Sequence, residues 1–317
     1  MMKKLLRVFI VFDIIILFFL ISYLALNQEK LKLNKTTRQT AQGEFVKLSD
    51  GMVHYELSGN ADSGTVVLVH GFSVPYYVWD PTVEALTEEG FQVLRYDLYG
   101  RGYSDRPRVD YDMNLFNRQL SELTTQVIPD QKFHLVGLSM GGPLVASFTN
   151  QNGELVSSVT LIAPEVYPAS TQDIFPMNVP VLGEWLVGVY MVPYYLPQSQ
   201  VKDFYQPKNF PDWEDKYRVQ LQYKGFKYAI LSTIRNLVNI NPLEEYKHLG
   251  NSGIPVQLIW GTEDQTIVEE DIVTLMKAVP QIEHHFIEQA GHLPHYEQAE
   301  IVNPLLIEFF RKAAGSD

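Results

Sequence analysis

Residues 137–142, GLSMGG, constrain the fold more than any other part of the 317-residue chain. They lie between an apolar run at 133–138 and a segment of helical character from 140 to about 150. The reading is strand, sharp turn, helix, with Ser139 at the turn. Gly137, Ser139 and Gly141 fit a G-x-S-x-G pattern, in which the serine takes a strained backbone and the glycines leave room for it. Such a turn lifts the serine oxygen clear of a sheet. The helix behind it aims its N-terminal amides at the same place. A lone G-x-S-x-G match is weak, and the flanking strand and helix give this one its weight.

The rest of the chain supplies a sheet for that turn. Segments 45–48 and 52–57 flank Ser49-Asp50-Gly51 and read as a hairpin. Residues 66–69 are continuously apolar, as in a strand buried on both faces, and lead into His70-Gly71-Phe72. A helix is expected at 78–89, a strand at 91–96, the loop DLYGRGYSDRP, a helix at 114–127 and, after the serine turn, a strand at 158–162. Gly100-Arg101-Gly102 hints at a dinucleotide loop, but Asp105 stands where the third glycine of G-x-G-x-x-G is needed. The alternation breaks at Pro164. From there to about 249 the chain is rich in proline and aromatics, with one long helical stretch expected at 213–237. Strands return at 255–260 and 282–287, with helices at 268–278 and 298–313. Strands alternating with helices predict an α/β fold with a mostly parallel sheet covered on both faces. Its core is expected at 44–163 and 250–317, with 164–249 a helical insertion over the C-terminal edge of the sheet.

Residues 1–27 read differently. Lys3, Lys4 and Arg7 precede an apolar run at 8–26, nearly long enough at helical rise to cross a hydrocarbon layer of about 30 Å. Asp13 is its one flaw, at a cost of about 2.5–3.5 kcal/mol if it sat at mid-membrane. An uncleaved single-pass membrane anchor is the expectation, and a cleaved signal or a buried helix are the alternatives. Basic residues on both flanks barely discriminate the orientation, with a slight preference for an extracytoplasmic body. Residues 28–43 are polar and read as a linker. The formal net charge is −12, and residues 1–30 carry +2 of it, which leaves −14 on the remainder. Phosphate backbones would be repelled, so no nucleic-acid partner is expected. The absence of cysteine excludes disulfides and thiolate metal sites.

A serine hydroxyl needs a base to take its proton, and the base needs an acid to fix its tautomer. Both are sought at strand ends on the C-terminal side of the sheet. The acid candidate is Asp264, in GTEDQT, with Glu263 and Glu165 as rivals. The base candidate is His292, in Ala290-Gly291-His292, while His284, His285 and His295 read as structural or solvated. The order Ser, Asp, His then holds along the chain. Two main-chain amides, of Phe72 and Met140, are the candidate oxyanion donors. No ligand cluster or phosphate loop suggests a metal or organic cofactor.

HGF, DLYGRGYSDRP, GLSMGG, GTEDQT and AGHLPHYEQ occur in the order and spacing of the α/β-hydrolases, which the chain resembles over roughly 44–314. The resemblance implies an eight-stranded sheet, a cap between its sixth and seventh strands, and a Ser139–His292–Asp264 triad. Within that family the chain is similar to monoacylglycerol lipases and esterases, and to carbon–carbon bond hydrolases of ring-fission products. The first likeness implies a small lipophilic ester as substrate. The second implies carboxylate-bearing ligands and basic pocket residues, with Arg218, Lys224, Lys227 and Arg235 available in the insertion. A hydrolase fold kept as a ligand sensor is a third reading. The oligomeric state is not legible.

Overall fold

The computed structural model describes residues 2–315. Eight strands form one sheet: β1 (Glu44–Lys47), β2 (Met52–Ser58), β3 (Thr65–Val69), β4 (Gln92–Tyr96), β5 (Phe133–Leu138), β6 (Val156–Ile162), β7 (Val256–Gly261) and β8 (Glu283–Ile287). Their order is β1-β2-β4-β3-β5-β6-β7-β8, antiparallel at β1–β2 and β2–β4 and parallel elsewhere. The apolar runs at β3, β5 and β7 are buried at every residue, as expected of strands covered on both faces.

Alternation along each strand divides the interior in two. Val66 and Leu68 join a core with Leu86, Phe309 and Phe310 of the helices Asp80–Glu88 and Ala299–Ala314. Val67 and Val69 point the other way, to Leu120, Leu144, Leu249 and Leu275 of four further helices. The parallel strands β3, β5, β6, β7 and β8 thus present their C-terminal ends along one edge, where the site is found.

Between β6 and β7 lies the helical cap. The single helix expected at 213–237 is broken into helix Trp213–Arg218, a 3₁₀ turn Val219–Gln222, helix Phe226–Thr233 and a π turn Ile234–Val238. Gly225, at φ +100°, makes the bend before Phe226, a left-handed conformation that side-chain-bearing residues rarely adopt. A second π-helical segment, Val187–Tyr195, contains Pro193.

The N-terminal helix Met2–Ala25 includes one stretch, Lys4–Ala25, long and apolar enough to cross a membrane and with none of it buried. The polar segment behind it is not an unstructured tether. It carries a short helix, Lys35–Arg38, capped by Asn34, and is strapped along the cap and core. Leu31 bridges to Tyr223, Arg38 pairs with Asp105, and the Gln42 carbonyl meets His54 Nε2 at 2.5 Å. His54 is itself held through Nδ1 by buried Asp97, at 2.7 Å.

Candidate active site

Ser139 sits where β5 turns into helix Gly141–Gln151, at φ +53°. The amide of Ser139 donates to Ile162 O at 2.9 Å, and its carbonyl accepts from Gly142 and Glu165 at 2.8 and 3.1 Å. Three hydrogen bonds around one strained residue fix the turn. The two motif glycines are required by close approach. A Cβ on Gly137 would lie 2.4 Å from Gly141 O, and one on Gly141 would lie 2.5 Å from Val69 O.

Asp264 and His292 come together from the ends of β7 and β8. Asp264 Oδ2 accepts from His292 Nδ1 at 2.8 Å. Its Oδ1 accepts from the amides of Thr266 and Ile267 at 2.7 and 3.0 Å, so the carboxylate is clamped from behind. With Nδ1 taken, Nε2 is the ring nitrogen left for chemistry. The His292 amide donates to Asp203 O at 2.7 Å, which ties the histidine loop to the cap. Burial works against the charged imidazole, yet Asp264, with Asp203 and Glu165 behind it, raises His292 to about 9.

The rival acids separate cleanly. Glu263 is exposed. Glu165 lies close enough to His292 to feel its charge, but desolvation pushes its carboxyl up to about 8. Of the other histidines, His295 is buried against Trp79 with ring centroids 4.5 Å apart and is driven down to about 3 by burial. His284 is exposed on β8, and His285 faces Glu283 at 3.4 Å.

The His70-Gly71-Phe72 loop passes directly over the serine. A Cβ on Gly71 would stand 3.1 Å from the Cβ of Ser139. Two buried side chains hold this loop. His70, kept neutral by burial at about 4, accepts from the Leu98 amide through Nε2 at 2.9 Å. Arg101 Nε donates to Phe72 O at 2.7 Å, while Nη2 donates to Thr233 of the cap at 3.0 Å. Met140 is buried at the start of the helix behind Ser139.

Ser139, His292 and Phe72 border one cavity of about 460 Å³, of the size that holds a small ligand. Its cap side is mostly apolar, with Ile174, Leu186, Met191, Leu196 and Ile234, and its polar corner holds Ser199, Gln200, Asp203 and Thr266. No arginine or lysine lines it among the described residues. Arg218 pairs with Glu214, Arg235 with Glu184, Lys227 donates to Asn27, and Lys224 is exposed. Asp203 is the member that sequence reasoning passed over. It follows a short helix, Leu196–Lys202, in a segment with no motif, and only the fold brings it beside His292. Desolvation raises its carboxyl to about 6. Arg101 was legible as part of a failed glycine motif and of the DLYGRGYSDRP loop, but its role as a brace is set by partners distant in sequence.

A family model described as alpha/beta hydrolase fold matches residues 64–252. The chain is 24% identical over 289 residues to the AB hydrolase superfamily protein YfhM of Bacillus subtilis, covering 84% of this chain and 97% of that protein. It is 23% identical over 286 residues to a 2-hydroxy-6-oxononadienedioate/2-hydroxy-6-oxononatrienedioate hydrolase of Cupriavidus pinatubonensis, covering 86% and 96%. Among solved structures, a thermophilic esterase from Thermogutta terrifontis superposes with a TM-score of 0.73 at 23% identity, over 86% of this chain and 99% of the esterase.

Proposed function

The chain belongs to the α/β-hydrolase family, and from that premise we propose that this hydrolase cleaves a carboxylic ester with a lipophilic acyl group. In this reading Ser139 Oγ attacks the ester carbonyl as His292 Nε2 takes its proton, and Asp264 holds the resulting imidazolium. The amides of Phe72 and Met140 bind the oxyanion. The tetrahedral intermediate collapses, the ester C–O bond breaks, and His292 returns the proton to the departing alcohol. A water, deprotonated by His292, then attacks the acyl carbon and frees the carboxylic acid and Ser139. The helix spanning Lys4–Ala25 is read as an uncleaved membrane anchor for this enzyme.

The observation that carries the ester reading is the cavity wall, which is apolar on the cap side and free of arginine and lysine among the described residues. The competing reading is carbon–carbon bond hydrolysis, and the Cupriavidus relative favours it. That relative is named for a dioate, a doubly anionic substrate, and Asp203 would repel such a ligand in this cavity.

The test is fluorophosphonate labelling with a panel of neutral and carboxylate-bearing esters and vinylogous diketones. Wild type labels at Ser139 and favours neutral esters, whereas Ser139→Ala folds but neither labels nor hydrolyses. Labelling that survives in folded Ser139→Ala removes the nucleophile assignment. Turnover of the diketones alone hands the function to the rival. A protein that binds ligands but labels with nothing is a sensor.

A further inference from the structure

We propose that the cap is itself a membrane-contact surface: residues 185–195 lie in the headgroup boundary of the bilayer, and the cavity over Ser139 opens to lipid there. The proposal rests on the anchor reading of Lys4–Ala25 and extends it from the anchor to the body.

The first support is where the cap meets the helix. Phe19 packs on Trp185 with ring centroids 4.6 Å apart, and Trp185 Nε1 donates to Ser22 Oγ at 3.0 Å. Gly188 lies so close to the Tyr23 ring that a Cβ there would stand 2.5 Å from it. These contacts fall in the last two turns of a helix whose apolar side chains are exposed from Leu5 to Leu24. At about 1.5 Å per residue, residues 19–23 lie within about 10 Å of the helix end, the depth of a membrane–water boundary. Cap residues held there are held at that depth.

Composition agrees with the position. Between residues 174 and 201 the only charged side chain is Glu184, which Arg235 neutralises. On a protein of net charge −12 this is a conspicuous gap. Tyr190, Tyr194 and Tyr195 are 54%, 45% and 50% exposed, with the rings of Tyr190 and Tyr195 6.2 Å apart. Tyrosine, with an apolar ring and a polar tip, suits the headgroup layer better than open water or the hydrocarbon centre. Because the acidic body gains nothing from anionic lipid, the contact must be apolar.

The link to function is that Tyr190 and Tyr195 face both ways. They are exposed on this surface and also line the cavity that holds Ser139 and His292. A lipid ester can therefore pass from the leaflet into the cavity without its acyl chain crossing water.

The chain lacks cysteine, so single probes can be placed on the full-length protein in vesicles of zwitterionic phospholipid. An environment-sensitive fluorophore goes on Tyr194→Cys, on Ile15→Cys within the N-terminal helix, and on Glu154→Cys, which precedes β6 at the opposite edge of the sheet. Quenching is by phospholipids bearing a nitroxide either high or low on the acyl chain, so that both the boundary and the hydrocarbon centre are sampled. The expected result is quenching at 15 and 194 and none at 154. Quenching at 15 without 194 leaves the anchor standing and overturns the cap contact. No quenching at 15 removes the anchor reading and the proposal with it. A probe at 194 that is shielded from water but not quenched signals a protein partner, such as a second copy, and overturns the proposal. An activity arm uses Tyr194→Asp, whose side chain lies outside the cavity lining. It should lower turnover of a vesicle-embedded ester about tenfold, a 1.4 kcal/mol effect, and leave a water-soluble short-chain ester unchanged. Equal losses on both would also overturn the proposal.

Discussion

Asp264 and Glu263 are adjacent carboxylates in opposite surroundings. Asp264 has one oxygen on His292 and the other on two amides, while Glu263 is exposed. Asp264→Asn should lower kcat by roughly 10⁴-fold, because an amide can hold the imidazole in the wrong tautomer. Glu263→Gln should leave kcat almost unchanged. Steady-state kinetics on one neutral ester checks both, and the reverse ranking would reassign the acid. Sequence order favoured Asp264 and kept Glu263 as a rival, and the structure adds which side chain turns inward. Asp203 leads to a second expectation. His292 must be neutral to accept a proton, so activity rises as pH passes up through its pKa. Burial opposes the charged ring, but Asp264, Asp203 and Glu165 outweigh it and place that rise near 9, above the ordinary histidine value. Asp203, raised to about 6, is anionic throughout that range. Asp203→Asn removes one of the three carboxylates and should move the rise to lower pH. The pH profile of kcat/KM measures it, and an unmoved midpoint would show that Asp203 is not coupled to the base.

At the scale of elements, the serine turn is a tightly packed joint in the fold. Gly137→Ala forces a Cβ against the Gly141 backbone, which has no flexible end to move aside. Overpacking of this kind costs about 1–3 kcal/mol. Gly153→Ala would meet only Ile254 Cδ1, at 3.5 Å, and should be close to neutral. Denaturant midpoints at constant m distinguish the two. The sheet was legible in the sequence because β3, β5 and β7 are apolar at nearly every position, and that pattern needs no partner to be recognised. The serine turn was legible because sterics there leave no room for a side chain at Gly137 and Gly141, two residues to either side of Ser139. The cap was not legible in detail. Its helices change pitch at 187–195 and 234–238, where no fixed period survives, and Gly225 bends what reads as one helix. The strap at 28–43 was hidden for another reason: its order comes from Tyr223, Asp105, His54 and Lys227, all remote in sequence.

Across the whole molecule, the strap decides where the chain can be cut. Deleting residues 1–26 removes the apolar helix and keeps the contacts of Asn27, Glu29, Leu31 and Arg38 with the body. Deleting 1–40 removes those contacts as well. Both forms should fold around the sheet core, with the shorter deletion melting higher in a thermal scan. Full-length protein should stay with membranes through high salt and carbonate, and the form lacking 1–26 should be released by carbonate. Release of the full-length chain by the same wash would refute a spanning anchor.

The cap inserted between β6 and β7 also has a consequence in time. Ser139 and His292 are 153 residues apart in the sequence, so bringing them to one cavity takes long-range closure of the chain. Such contacts form late, since loop closure must precede any reward. At about 5–20 residues per second of synthesis, roughly 8–30 s separate the appearance of the serine from that of the histidine. β3 to β6 and the serine turn can pair during that interval, before the proposed base has been made. A nascent chain therefore carries a shaped serine without its proposed base until the whole cap has been made and β7 and β8 have joined the sheet.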